Sequence, residues 1–182
     1  MSYGIAIKTA LICFPILLIL LFLPYIIREY HKYGSVYWYR GFILFSFILY
    51  LMVAYFLVIL PLPTMEEVMA LDTPRMRFIP FAFVTDFFKE SGFVLTDFST
   101  YFKAFTSSSF YVPFFNILLF IPFGVYLHYY FKWDLKKTTI ASFFLSLFFE
   151  LTQLSGLYFI YPRGYRLFDI DDLLLNTFGG FL

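Results

Sequence analysis

Charge is scarce in this sequence and cysteine is almost absent. Only 14% of its 182 residues are Asp, Glu, Lys or Arg, and the formal net charge is +1. A nucleic-acid partner requires a concentrated basic face to neutralise phosphates, and none is present. The single Cys13 excludes an intramolecular disulfide and any cysteine-based metal or redox motif. Internal repeats and low-complexity tracts are also missing, so an inverted-repeat transporter has no positive support. Whatever chemistry exists must use Asp, Glu, Arg, Asn, Gln or His.

What the chain has in excess is apolar surface. Hydrophobic residues make up 62% of it, including 29 Phe and 16 Tyr. A single water-soluble domain of this length could not bury so much, whereas lipid solvates it outright. The expected fold is all-α: a polytopic integral membrane bundle forming one domain over residues 1–182.

Four stretches, 9–27, 41–60, 111–131 and 138–160, approach or exceed the roughly 20 helical residues needed to cross a bilayer. The first follows only Lys8, contains Pro15 and Pro24 and lacks a small-residue cleavage site, so it reads as a retained helix rather than a signal peptide. A fifth segment, 169–182, reaches only about 20 Å at about 1.5 Å per residue. It is expected to be a half-helix or a span that the sequence cuts short. Arg28, Lys32 and Arg40 lie between the first two segments, and Lys132, Lys136 and Lys137 between the third and fourth. By the excess of basic residues in cytoplasmic loops, both connections face the cytoplasm and the N-terminus lies outside. The remaining cations, Lys8, Arg75, Arg77, Lys89, Lys103, Arg163 and Arg166, are spread thinly over the outer segments.

The long outer connection, 61–110, is not an ordinary polar loop. Between Phe78 and Phe110 it carries eleven aromatic residues among Asp86, Lys89, Glu90, Asp97 and Lys103. That mixture suits the headgroup boundary, as short interfacial helices broken at Ser91-Gly92.

Polar residues inside apolar segments carry the functional information, because lipid penalises them. Glu150 lies near the middle of the fourth segment and Gln153 follows on the same helical face. Asn116 sits near the outer end of the third, with Pro122 and Gly124 below it. His128 lies near the inner end and reads as an interfacial side chain. The densest group is Arg163, Arg166, Asp169, Asp171 and Asp172, then Asn176, Gly179 and Gly180. Asp169 is placed to cap a helix whose first turn holds the other acids, while Asp172, Asn176 and a glycine continue along one face. Measured from the outer helix ends at about 1.5 Å per residue, Asn116, Glu150, Gln153 and Asn176 all fall roughly 6–15 Å deep. If their helices are neighbours, they enclose an outward-facing polar cavity with Arg163 and Arg166 at its mouth. Expected pairings are Arg166 with Asp169 or Asp172, and Glu150 with Gln153, Asn116 or a proton.

Three segments carry a resemblance: Asn116-Ile-Leu-Leu-Phe-Ile-Pro-Phe-Gly124, Glu150-Leu-Thr-Gln153, and Arg166-Leu-Phe-Asp-Ile-Asp-Asp-Leu-Leu-Leu-Asn-Thr-Phe-Gly-Gly180. In order and spacing they resemble the VanZ-like family of bacterial membrane proteins. Arg77-Phe-Ile-Pro-Phe81 looks like a weaker upstream element of the same family. The resemblance implies a small helical bundle and, from the founding member, resistance to the lipoglycopeptide teicoplanin. It supplies no mechanism.

Three functions are compatible with these residues. The first is a ligand-binding protein whose outer-leaflet site, built from Asn116, Glu150, Gln153, Arg163, Arg166, Asp169, Asp172 and Asn176, holds a lipid, a lipid-linked envelope precursor or the lipoglycopeptide itself, without a cofactor. The second is an intramembrane enzyme acting on the same lipids, with Glu150 as the candidate catalytic acid or base and Asp169, Asp171 and Asp172 as candidate ligands of a divalent metal. The third is a proton-coupled carrier in which Glu150 titrates.

Overall fold

The computed structural model describes residues 3–60, 62–71 and 76–182. Pro61 and the segment 72–75, with Arg75, lie outside the described residues. The chain divides into two compact units, Met1–Leu62 and Pro63–Leu182.

The first unit is a helical hairpin. Helix α1 runs Tyr3–Tyr33 and α2 runs Trp38–Ile59. α1 outlasts its apolar stretch because Arg28 to Lys32 continue the helix. It stops at Gly34, whose φ of 69° places it in the left-handed region. Tyr25 packs edge-on against Phe45 at 5.5 Å and also covers Gly41, where a Cβ would lie 3.1 Å from its ring. At the turn, Arg40 stacks over Tyr33 at 4.1 Å and faces Glu29 at 3.7 Å.

In the second unit, α3 (Met65–Ala70) opens with a reciprocal cap. The Glu67 amide donates to the Thr64 hydroxyl and the Thr64 amide to the Glu67 carboxylate. Strand β1 (Met76–Arg77), α4 (Ala82–Glu90) and α5 (Ser99–Phe105) follow. α6 (Ser108–Val125) runs on as a π-turn over Tyr126–Tyr130. α7 (Leu135–Leu154) starts where Asp134 accepts from the Lys137 amide at 2.8 Å. Strand β2 (Phe168–Asp169) leads directly into α8 (Ile170–Phe181). α8 packs against both α6 and α7.

The 61–110 connection thus contains helices on either side of Gly92, which has φ 66°. It also does something the sequence did not suggest: β1 pairs with β2 in parallel, Met76 opposite Phe168 and Arg77 opposite Asp169. Two residues are too few to show the alternation that marks a strand.

The fourth apolar stretch does not stay helical to residue 160. α7 ends at Leu154, and Gly156, Leu157, Tyr158 and Phe159 form a left-handed turn with φ between 56° and 69°. A Cβ at Gly156 would lie 2.7 Å from the carbonyl oxygens of Tyr161 and Arg163, so the chain can double back only through glycine here. The reversal brings Leu157 against Val68, Tyr161 and Tyr165.

Among the described residues, three helices are long and apolar enough to cross a membrane, Gly4–Tyr33, Trp38–Ile59 and Ser108–Tyr130. α7 and α8 were expected to complete five segments but do not meet that measure. α7 carries six buried polar residues, Thr138, Ser142, Ser146, Glu150, Thr152 and Gln153, which lower its hydropathy. α8 has only 12 residues.

Candidate functional site

Small residues bring the three helices of the site together. A Cβ on Gly179 would run into the Ile117 carbonyl, one on Gly124 into the Gly180 carbonyl, and one on Gly180 into the Ser142 side chain. α8 therefore lies directly against the backbone of α6 and a serine face of α7, the packing small residues permit between membrane helices. Close approach on both sides fixes the direction of the remaining side chains of α8. Asp172 and Asn176, one turn apart, are held between α6 and α7.

Most of the anticipated polar residues meet here. Asn116 of α6 donates through Nδ2 to Asp172 Oδ1 at 2.5 Å, across 56 positions of sequence. Glu150 of α7, only 3% exposed, accepts on Oε2 from the Asp169 amide at 3.2 Å. Asn176 donates to Ser146 Oγ at 2.9 Å, and Ser146 Oγ lies 3.5 Å from the Asp172 carbonyl oxygen. Gln153 is buried one turn beyond Glu150, and its carbonyl accepts from the Tyr165 amide at 3.4 Å. Arg166 is exposed.

Other expectations are corrected by the geometry. The partner of Asp169 is Arg77. That guanidinium reaches Asp169 Oδ2 through Nε at 2.9 Å and through Nη2, and Asp86 Oδ2 through Nη1 at 2.5 Å. Bonding to Asp169, then to Asp86, raises Arg77 above the ordinary arginine range, so it stays charged. The parallel pairing of β1 with β2 sets Arg77 opposite Asp169, an advantage Arg166 lacks. Arg163 does not stand free at a cavity mouth either. Its Nε donates to the Val68 carbonyl at 2.9 Å and its Nη2 to that of Met69, closing the C-terminal end of α3.

The three acids proposed as metal ligands face three different partners. Asp169 caps α8, accepting from the Asp171 amide at 3.0 Å, and pairs with Arg77. Asp171, 1% exposed, turns away to accept the Phe81 amide at 2.6 Å and the Phe83 amide at 2.9 Å, capping α4 from a distance. Asp172 faces Asn116. Among the described residues no three His, Cys, Asp or Glu side chains come together as metal ligands.

Sequence reasoning missed Arg77 and Asp86 as site neighbours and Ser142 and Ser146 as the polar face that receives α8. Ser142, Ser146 and Glu150 recur every four residues, a signal present in the sequence but masked by the aromatic residues between them.

The whole arrangement lies within the part of the chain that can be compared with known proteins. The profile described as VanZ/LLP1 matches residues 47–182. The chain belongs to the VanZ/LLP1 family. The match takes in Arg77, Asp86, Asn116, Glu150 and the whole of α8, and begins inside α2. No curated protein and no solved structure matches the chain.

Proposed function

We propose that this VanZ/LLP1 family member is a multi-pass membrane protein whose polar cluster between α6, α7 and α8 binds the headgroup of a lipid, a lipid-linked envelope component or a lipoglycopeptide. One observation carries the reading. Asn176 Oδ1, buried one turn along α8 from Asp172, has no hydrogen-bond partner among the described residues, within a cluster that also buries Glu150. A buried polar oxygen is costly unless something completes its bonding. A ligand headgroup that does so would be held at a defined depth beside a lipid-facing surface.

The proposed location is the bacterial cytoplasmic membrane, with the cluster in the outer half and the N-terminus outside. α7 supports its own assignment as a membrane segment by the way its residues sort. Its polar side chains face inward, while Ile140, Phe143, Phe144, Phe148 and Leu151 are exposed. The cation site of the enzyme reading is not carried forward, because Asp169 is committed to Arg77 and Asp171 to the α4 amides, while Asp172 faces Asn116. No specific observation favours the carrier.

The test is Glu150→Gln and Asp172→Asn, each scored for membrane abundance and for resistance to a lipoglycopeptide in a susceptible host. Normal abundance with lost resistance supports the reading. Normal abundance with wild-type resistance from both variants sinks it.

A further inference from the structure

The connection between α6 and α7 is short and basic. Residues 132–137 carry Lys132, Asp134, Lys136 and Lys137, three cations against one carboxylate. Asp134 is already engaged, accepting the Lys137 amide at 2.8 Å and facing the Lys137 ammonium at 3.5 Å. Lys132 and Lys136 are exposed and form no ion pair among the described residues.

Backbone bonds on both sides fix the shape of the turn at Lys132. The Phe131 amide donates to the Tyr126 carbonyl at 3.0 Å, closing the π-turn, and the Trp133 amide donates to the Leu127 carbonyl at 3.0 Å. His128 Nδ1 donates to the Trp133 carbonyl at 2.8 Å, since a carbonyl oxygen only accepts. Between these bonds Lys132 has φ 61°, in the left-handed region, where glycine is unstrained and lysine is not. Nothing in the turn itself calls for a lysine. Such strain persists only where the surroundings impose it, and it is characteristic of positions whose side chain is used. Tyr129 and Trp133, 68% and 41% exposed, flank it at the end of Ser108–Tyr130, a helix long and apolar enough to cross a membrane. Exposed rings beside lysines at such a helix end suit the headgroup boundary.

Resting on the multi-pass membrane reading above, we infer that the α6–α7 turn binds anionic phospholipid, Lys132 and Lys136 supplying the attraction and Tyr129 and Trp133 the apolar contact. The two cations need only lie at the same membrane boundary, because the negative surface of a leaflet acts on each of them within about a Debye length. A zwitterionic headgroup has no net charge to meet two unpaired ammonium groups. This surface is distinct from the polar cluster. Thirteen residues of α7 separate Lys137 from Glu150, a distance of about 20 Å at about 1.5 Å per residue.

The full chain, purified in detergent, is examined by native mass spectrometry with phosphatidylglycerol and phosphatidylcholine of identical acyl chains. Retention of phosphatidylglycerol at least about tenfold above phosphatidylcholine is expected, falling about fivefold in Lys132→Gly and about fivefold in Lys136→Gln. Lys132→Gly separates binding from folding, because glycine suits the left-handed turn. Its unfolding midpoint without added lipid should not fall while its lipid retention does, a split that a merely structural lysine would not produce. Equal retention of the two lipids by the unaltered protein, or a preference that both lysine variants keep, overturns the inference. If the surviving preference disappears in Glu150→Gln, the lipid belongs to the cluster and the headgroup reading stands. The membrane reading is judged apart, by whether the chain leaves the membrane fraction only with detergent.

Discussion

Asp169, Asp171 and Asp172 lie within four positions of sequence and do three unrelated things. Asp171 serves folding. With Asp171→Ala, the Phe81 and Phe83 amides lose a buried charged acceptor, a change of about 2–3 kcal/mol. Thermal unfolding in detergent should show a lowered midpoint, and an unchanged midpoint would contradict the long-range cap. Arg77→Gln should act more mildly, about 1 kcal/mol or less, because Arg77 and Asp86 are each about 30% exposed and water screens the pair. Its expected signature is faster protease cleavage in the 91–98 stretch, since the tie between α4 and Asp169 is cut. Cleavage at the rate of the unaltered protein would mean the pairing does not hold α4. The presence of polar residues where lipid forbids them was legible in the sequence, and Asn116, Glu150, Asp172 and Asn176 do meet. Their partners were less legible. Arg166 is three residues from Asp169 and Arg77 is ninety-two away, so proximity in sequence favoured the wrong arginine. Only the β1 pairing, invisible at two residues, reverses that preference.

At the scale of elements, the apolar runs gave reliable positions for α1, α2, α6 and the body of α7. The ends were less readable, because helix ends are set by backbone geometry rather than by hydropathy. Residues 155–160 look as apolar as the helix before them, yet Gly156 turns the chain. The glycines where α6, α7 and α8 meet make a sharper element-level test, because their obstacles differ in kind. Gly124→Ala and Gly179→Ala each push a methyl group into a backbone carbonyl of the neighbouring helix, and no rotamer change relieves that. A loss of about 1–3 kcal/mol or more is expected for each. Gly180→Ala meets only the side chain of Ser142. The double change Gly180→Ala with Ser142→Gly should recover most of the unfolding midpoint lost by the single change. No recovery would mean that α8 does not approach α7 at Ser142.

At the scale of the whole molecule, the proposed orientation rests on the short basic connections and on the geometry of the second unit. Arg163 binds the α3 carbonyls and Arg77 binds Asp169, so the segment before α6 and the segment after α7 are tied at one end. α6 leaves that end and α7 returns to it, an antiparallel pair whose far end carries Lys132, Lys136 and Lys137. On the proposed membrane reading, residues 103 and 136 then lie on opposite sides. If α2 and α6 each cross the bilayer, as proposed, residues 35 and 136 fall on the same side. In a Cys13→Ser background, single cysteines at Ser35 and Lys136 should resist a membrane-impermeant thiol reagent in intact cells, and one at Lys103 should react. Lys103 is exposed on α5. Reaction at Ser35 and Lys136 with protection at Lys103 would invert the protein and put the Glu150 cluster in the inner leaflet. Reaction at only one of Ser35 and Lys136 would break the crossing count itself, and with it the reading of α2 or α6 as a span.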